Sequence, residues 1–172
     1  MIFGTRSRIA VEFELNPDYG GIWLFGKFCL WVQEQQVGDY EMGVSLRDIL
    51  ILLESMVRDN GNRMHNELFL LAPNELYTKL NDALYGNSSH YDEIAMKEIW
   101  ARFDVGFSID IFNCWKIFLV ENHEKARLVI NKLDEEGGLY QIQLNKGEFD
   151  EIIFMAYQEL GRIYDIEKAK SL

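Results

Sequence analysis

From residue 149 onward, apolar side chains recur at helical spacing without a break: Phe149, Ile152, Ile153, Ala156, Tyr157, Leu160, Ile163 and Tyr164. Such a stripe over four turns has to be buried against another element, so the chain needs a second layer to receive it. The other end of the sequence supplies one. Ile9, Val11, Phe13 and Leu15 alternate with Ala10, Glu12 and Glu14, the period of a strand with one dry and one wet face. After the turn residues 16–21, the stretch 22–32 is apolar on both faces apart from Lys27, as in a central strand. Residues 33–36 then reverse the chain into Val37-Gly38-Asp39-Tyr40-Glu41, completing an expected antiparallel meander of three strands.

Ser45 precedes Leu46, Ile49, Leu50, Leu53, Met56 and Val57, and Asp48 is placed to complement a first turn. A helix over about 46–58 follows, closed by Asp59-Asn60-Gly61-Asn62. A second helix is expected from Pro73 to a stop at Gly86, with Leu76, Tyr77, Leu80, Ala83 and Leu84 on its inner face and a surface loop at 87–90. Residues 91–112 show no clean period beyond a short helix to about 99. Residues 115–120 read as a strand. Asn122 is expected to cap a helix burying Ala126, Val129, Ile130 and Leu133 and ending at Gly137-Gly138, with a strand at 139–144 before the final helix. No repeat or linker divides these elements. The expectation is one α+β domain over 1–172, a mainly antiparallel sheet with helices packed on it.

Chemistry is less visible than architecture. His65, His90 and His123 stand alone in polar segments, which favours surface histidines over metal ligands. Cys29 and Cys114 lie in apolar runs and read as small core hydrophobes, with no pKa-lowering neighbour in sequence. Gly-x-Ser-x-Gly is absent, and Gly20, Gly21 and Gly26 neither open a helix nor precede Gly-Lys-Ser. The carboxylates at 148–151 are explained by the positive end of the last helix. No catalytic residue, metal or cofactor is therefore expected.

Partner binding is the better expectation. The 172 residues carry a formal charge of −11, spread over both halves, which repels phosphate backbones and attracts basic partners. Solubility alone is an equal reason for such a charge. No apolar run is long enough for a bilayer and no secretory signal is visible, so a cytoplasmic, membrane-free protein is expected. Among the many aromatics most must be core, but Phe154 and Met155 fall off the last helical stripe, and Tyr40 sits between two acids.

Particular strings carry a resemblance. Met1-Ile2-Phe3-Gly4, Gly21-x-Trp23-x-x-Gly26-x-Phe28, Val37-Gly38-Asp39-Tyr40-Glu41, Ser45-Leu46-Arg47-Asp48, Trp100-x-Arg102-Phe103-Asp104 and Trp115-Lys116-x-Phe118-Leu119-Val120-Glu121 are, in order and spacing, similar to immunity protein family 42 of bacterial polymorphic toxin systems. The likeness runs from residue 1 to about 155. It implies a cytoplasmic antidote to a cognate toxin domain and brings no catalytic residues. Two acidic turns are the toxin-binding candidates: Asp39, Tyr40 and Glu41, and Asp134, Glu135 and Glu136. A toxin they meet is expected to be basic. The alternatives are a small acidic regulatory module or a hydrolase with a carboxylate pair. Nothing fixes the oligomeric state.

Overall fold

The structure, a computed structural model, describes residues 1–86 and 90–170. The chain divides into two compact units: Met1–Arg58 with Phe107–Cys114 and Phe149–Leu172, and Asp59–Gly106 with Trp115–Glu148. Both are α+β with antiparallel sheets, so the expected fold class stands, but the single sheet becomes two.

The first unit holds five strands: β1 (Ile2–Thr5), β2 (Ile9–Leu15), β3 (Phe25–Val32), β4 (Gln35–Val37) and β5 (Val44–Ser45). Their order is β1-β2-β3-β4, with β5 also paired to β3. The expected meander is present, extended by β1 at one edge. Its third strand stops at Val37 instead of Glu41, because Gly38 takes a left-handed conformation (φ +97) directly beneath Phe112, where a Cβ would lie 2.8 Å from Cζ. Helix α1 (Leu46–Arg58) starts as expected: Ser45 Oγ accepts from the backbone N–H of Asp48 at 3.3 Å. Phe28, Phe107 and Phe112 form an aromatic cluster in the core, with centroids 4.7 to 6.0 Å apart. The long final helix, whose Phe149, Ile152, Ile153, Ala156 and Leu160 are buried, also belongs to this unit and backs its Gly161 onto Leu50.

The second unit holds α2 (Asn66–Leu70), α3 (Pro73–Tyr85), α4 (Asp92–Lys97) and a three-stranded sheet of β6 (Trp115–Glu121), β7 (Lys125–Lys132) and β8 (Leu139–Asn145). The final helix is α5 (Glu148–Lys170). One face of the sheet, carrying Phe118, Val120 and Val129, packs with Leu68, Phe69, Leu76, Leu80, Ala95, Trp100 and Phe103. Helix α3 and the short α4 match the expected positions, whereas α2 was not anticipated. The expected 87–90 loop lies, apart from His90, outside the described residues.

The helix expected between a cap at Asn122 and a stop at Gly137-Gly138 is replaced by β7. Ala126, Arg127, Leu128, Val129 and Ile130 are all buried in succession, the mark of a strand covered on both faces, and any such run contains positions at helical spacing. Asn122 does not cap a helix. Its Oδ1 accepts from the N–H groups of Glu124 and Lys125, at 2.9 and 2.7 Å, and turns the chain back from β6. Gly137 and Gly138 accordingly close the β7–β8 hairpin, not a helix.

Candidate functional site

The pairing of β2 with β3 sets Ala10 opposite Trp31, Glu12 opposite Cys29 and Glu14 opposite Lys27. Side chains alternate along a strand, so these six share one face with Phe25, while Ile9, Val11, Phe13 and Phe28 point to the other and are buried. The shared face is layered. Ala10 and Cys29 lie buried at its floor. Above them Glu12 accepts two bonds from the Arg6 guanidinium, at 2.6 and 2.7 Å, and one from the Trp31 indole at 2.6 Å, while Arg6 sits 4.5 Å above the Trp31 ring. Glu12 is thereby committed to holding this surface together.

The first candidate group stands beside it. Tyr40 is half-buried and its hydroxyl donates to Glu14 Oε2 at 3.4 Å. Lys27 Nζ reaches Glu41 at 2.6 Å and lies 5.4 Å from the Tyr40 ring centroid. Burial, helped by the charges of Glu12 and Glu14, pushes the Tyr40 phenol up to about 12, so it remains a neutral donor at physiological pH. The hydrogen bond from Lys27 to Glu41 raises the ammonium's pKa. Asp39 has a local duty: its Oδ1 accepts from the N–H groups of Glu41 and Met42, at 3.1 and 3.2 Å, fixing the turn that presents its two neighbours. Trp23 and Phe25, each nearly half exposed, stack with centroids 6.4 Å apart, and the Arg47 guanidinium lies 3.8 Å above Trp23. Trp, Tyr and Arg are the residue types that carry most energy in protein interfaces.

Sequence reasoning singled out Tyr40 but not Glu14, Lys27, Arg6 or Trp31. The available signal was the wet phase of the 9–15 alternation and the lone lysine in an apolar run. Register alone sets these residues side by side.

The second candidate group, Asp134, Glu135 and Glu136, lies exposed in the β7–β8 turn of the other unit, with Glu135 held by Lys132 at 3.0 Å. Phe154 and Met155 are partly exposed on α5, as expected.

Two single-residue expectations are corrected. His65 is not a surface histidine: its Nδ1 accepts from the Leu68 N–H at 3.2 Å, capping α2, so Nε2 carries the proton and donates to Glu98 at 2.9 Å. Glu98 also accepts from the Trp100 indole at 2.9 Å, and that bond, then the one from His65, holds its carboxyl below the usual range. Cys114 is exposed and not a core residue, while Cys29 is buried with its thiol pushed up to about 12 by desolvation. Among the described residues no group of three or more His, Cys, Asp or Glu side chains could hold a metal ion, and no helix is long and apolar enough to cross a membrane.

The family model Imm42, described as immunity protein 42, matches residues 1–159, a span that runs through both units. No curated protein matches the chain. Among solved structures, the crystal structure of CdiI from Burkholderia dolosa AUO158 is similar, with a TM-score of 0.72 at 17% identity over 92% of this chain and 99% of that chain. At that identity the likeness speaks for a common fold.

Proposed function

The chain belongs to the immunity protein 42 family, and on that premise we propose that it neutralises one cognate toxin of a bacterial polymorphic toxin system by occupying it in a stoichiometric complex. The family match over residues 1–159 is the observation that carries this reading. Binding energy is then the whole mechanism, without turnover, metal or cofactor, in the cytoplasm of the cell that makes the toxin.

The contact is centred on the β2–β3 face of the first unit. Tyr40 supplies a large, stiff anchor held by Glu14, and Asp39 fixes the turn that presents it. Glu41 and Glu14 offer carboxylates to a basic residue of the toxin, with Trp23, Phe25 and Arg47 extending the surface. The exposed Asp134, Glu135 and Glu136 turn adds to a negative field that steers a basic partner and disfavours nucleic acid.

Co-expression with the neighbouring toxin reading frame tests this. Rescue of an otherwise lethal gene with co-purification in fixed ratio supports the reading, and death of the cells despite soluble chain refutes it. Charge reversal at Asp39, Glu41, Asp134, Glu135 and Glu136, with Tyr40→Ala, maps the contact. Full protection by all six variants would move the interface elsewhere. Affinity that does not change between low and high salt would remove the steering argument.

A further inference from the structure

Three aromatic rings at the surface of the first unit each carry a cation that is itself tied to a carboxylate. Arg6 lies 4.5 Å above Trp31 and bonds both oxygens of Glu12. Arg47 lies 3.8 Å above Trp23 and reaches Asp48 through two nitrogens, at 3.0 and 3.2 Å. Lys27 lies 5.4 Å from the Tyr40 centroid and bonds Glu41. The two arginine stacks are firmly held. Each makes two bonds to its carboxylate, and Glu12, whose side chain is 16% exposed, also accepts from the Trp31 indole.

The lysine stack is loose. One contact at 2.6 Å joins Lys27 to Glu41, whose side chain is 77% exposed. Opposite Lys27 on β2, Glu14 receives only the Tyr40 hydroxyl, at 3.4 Å, among the described residues. Glu14 and Glu41 are the charges that act on the ammonium, so two carboxylates face one cation and leave one negative charge uncompensated. The neighbouring charges do not cancel it. Arg6 and Glu12 neutralise each other, and Asp39, whose Oδ1 accepts two backbone N–H groups, adds a further negative charge. Carboxylates around an aromatic face are what a cation seeks, and here the chain fills the place with its own lysine.

Resting on the reading that a basic toxin docks on this face, we propose that a cationic side chain of the toxin takes the place of Lys27 at Glu41 and Tyr40, so that Lys27 is a built-in competitor that limits affinity. Arginine is the side chain best suited to displace it. Its planar fork takes both oxygens of a carboxylate and stacks on an aromatic ring, whereas an ammonium is a point charge. Breaking the internal pair costs little, because an exposed ion pair of this kind is weak. The lysine also opposes the arriving group as a like charge at short range. Arg6 and Arg47, each held by two bonds, stay in place and frame the exchange.

Binding kinetics of the purified full chain with the toxin domain encoded beside it test the proposal. Lys27→Met keeps the apolar stem, removes the charge and should lower the dissociation constant about three- to tenfold, mainly through slower dissociation, with an unchanged circular dichroism spectrum. Glu41→Gln should cost more affinity in the Lys27→Met background than in the parent, since only there does the carboxylate enter the complex without an internal partner to lose. Lys146→Met, at an exposed lysine of the second unit, changes the net charge equally and should leave the dissociation rate as it was. Should Lys27→Met misfold, Lys27→Gln gives the same comparison. Equal or weaker binding by the Lys27 variant overturns the proposal and leaves the toxin reading intact, as does an equal gain from Lys146→Met. Absence of any complex with the parent chain refutes the toxin reading itself, and the proposal with it.

Discussion

Replacing Arg127 by methionine should destabilise the chain by about 2–4 kcal/mol, the net of a hydrogen-bond loss and a desolvation gain. Arg127 is 8% exposed in the middle of β7. Its guanidinium donates to the carbonyls of Phe69 and Leu71, the latter at 2.7 Å, and twice to Gln141 Oε1. These acceptors are neutral, and burial lowers the arginine's pKa. Hydrogen bonds to a charged donor contribute about 1.5–3 kcal/mol each, and the truncated site would leave two carbonyls at the end of α2 without their partner. Against this, methionine removes a charge whose desolvation is costly and keeps the apolar stem, which brings the sum down to the stated range. Arg127→Lys keeps the charge but cannot fork between two carbonyls and an amide, so it should be at least as damaging as methionine. Urea unfolding followed by tryptophan fluorescence and far-ultraviolet circular dichroism, with the denaturant slope unchanged, gives the difference directly. A loss below about 1 kcal/mol in both variants would refute the claim that this fork ties α2 to the sheet.

Three further outcomes are expected. Glu98, held below the usual range by Trp100 and His65, binds its proton less readily folded than unfolded, so its stabilisation is present above the usual glutamate range and is lost as pH falls through the lowered folded value; Glu98→Gln should flatten that acid limb in pH-dependent unfolding. Gly38→Ala, which combines a left-handed backbone with a Cβ 2.8 Å from Phe112, should lower stability by about 2–3 kcal/mol, and a thermal midpoint equal to that of the parent would contradict the assigned geometry. Maleimide labelling of the native chain should modify Cys114 alone and reach Cys29 only after denaturation; mass spectrometry showing two rapid additions to folded protein would disprove the burial of Cys29.

Legibility in the sequence followed the range of the interactions. Helices α1, α3 and α5 and strands β2, β6 and β8 could be read because their amphipathic period, caps and stops lie within a dozen neighbouring residues, as with Ser45 before α1. Helix α2 could not, since its cap is a histidine whose ring is held by Glu98, thirty-three positions away. Nor could β7, where a strand buried on both faces has no alternation and the deciding contacts are the neighbouring strands. At the candidate surface the turn of Asp39, Tyr40 and Glu41 was visible as acids around an aromatic. Its setting, with Glu14 and Lys27 opposite each other and Arg6 clamped to Glu12 over Trp31, depends on strand register.

By itself, then, the order of residues determined an α+β chain with a negative exterior, a short list of acidic turns and a family, because composition, period and motif are properties of neighbours along the chain. Tertiary structure decided that the strands form two sheets, that residues 125–132 extend instead of coiling, that His65 is a cap, and that backbone from Arg63, His65 and Val105 fills the outer edge of β6. Each of those outcomes is set by hydrogen bonds and burial between segments far apart in sequence, which no local window contains.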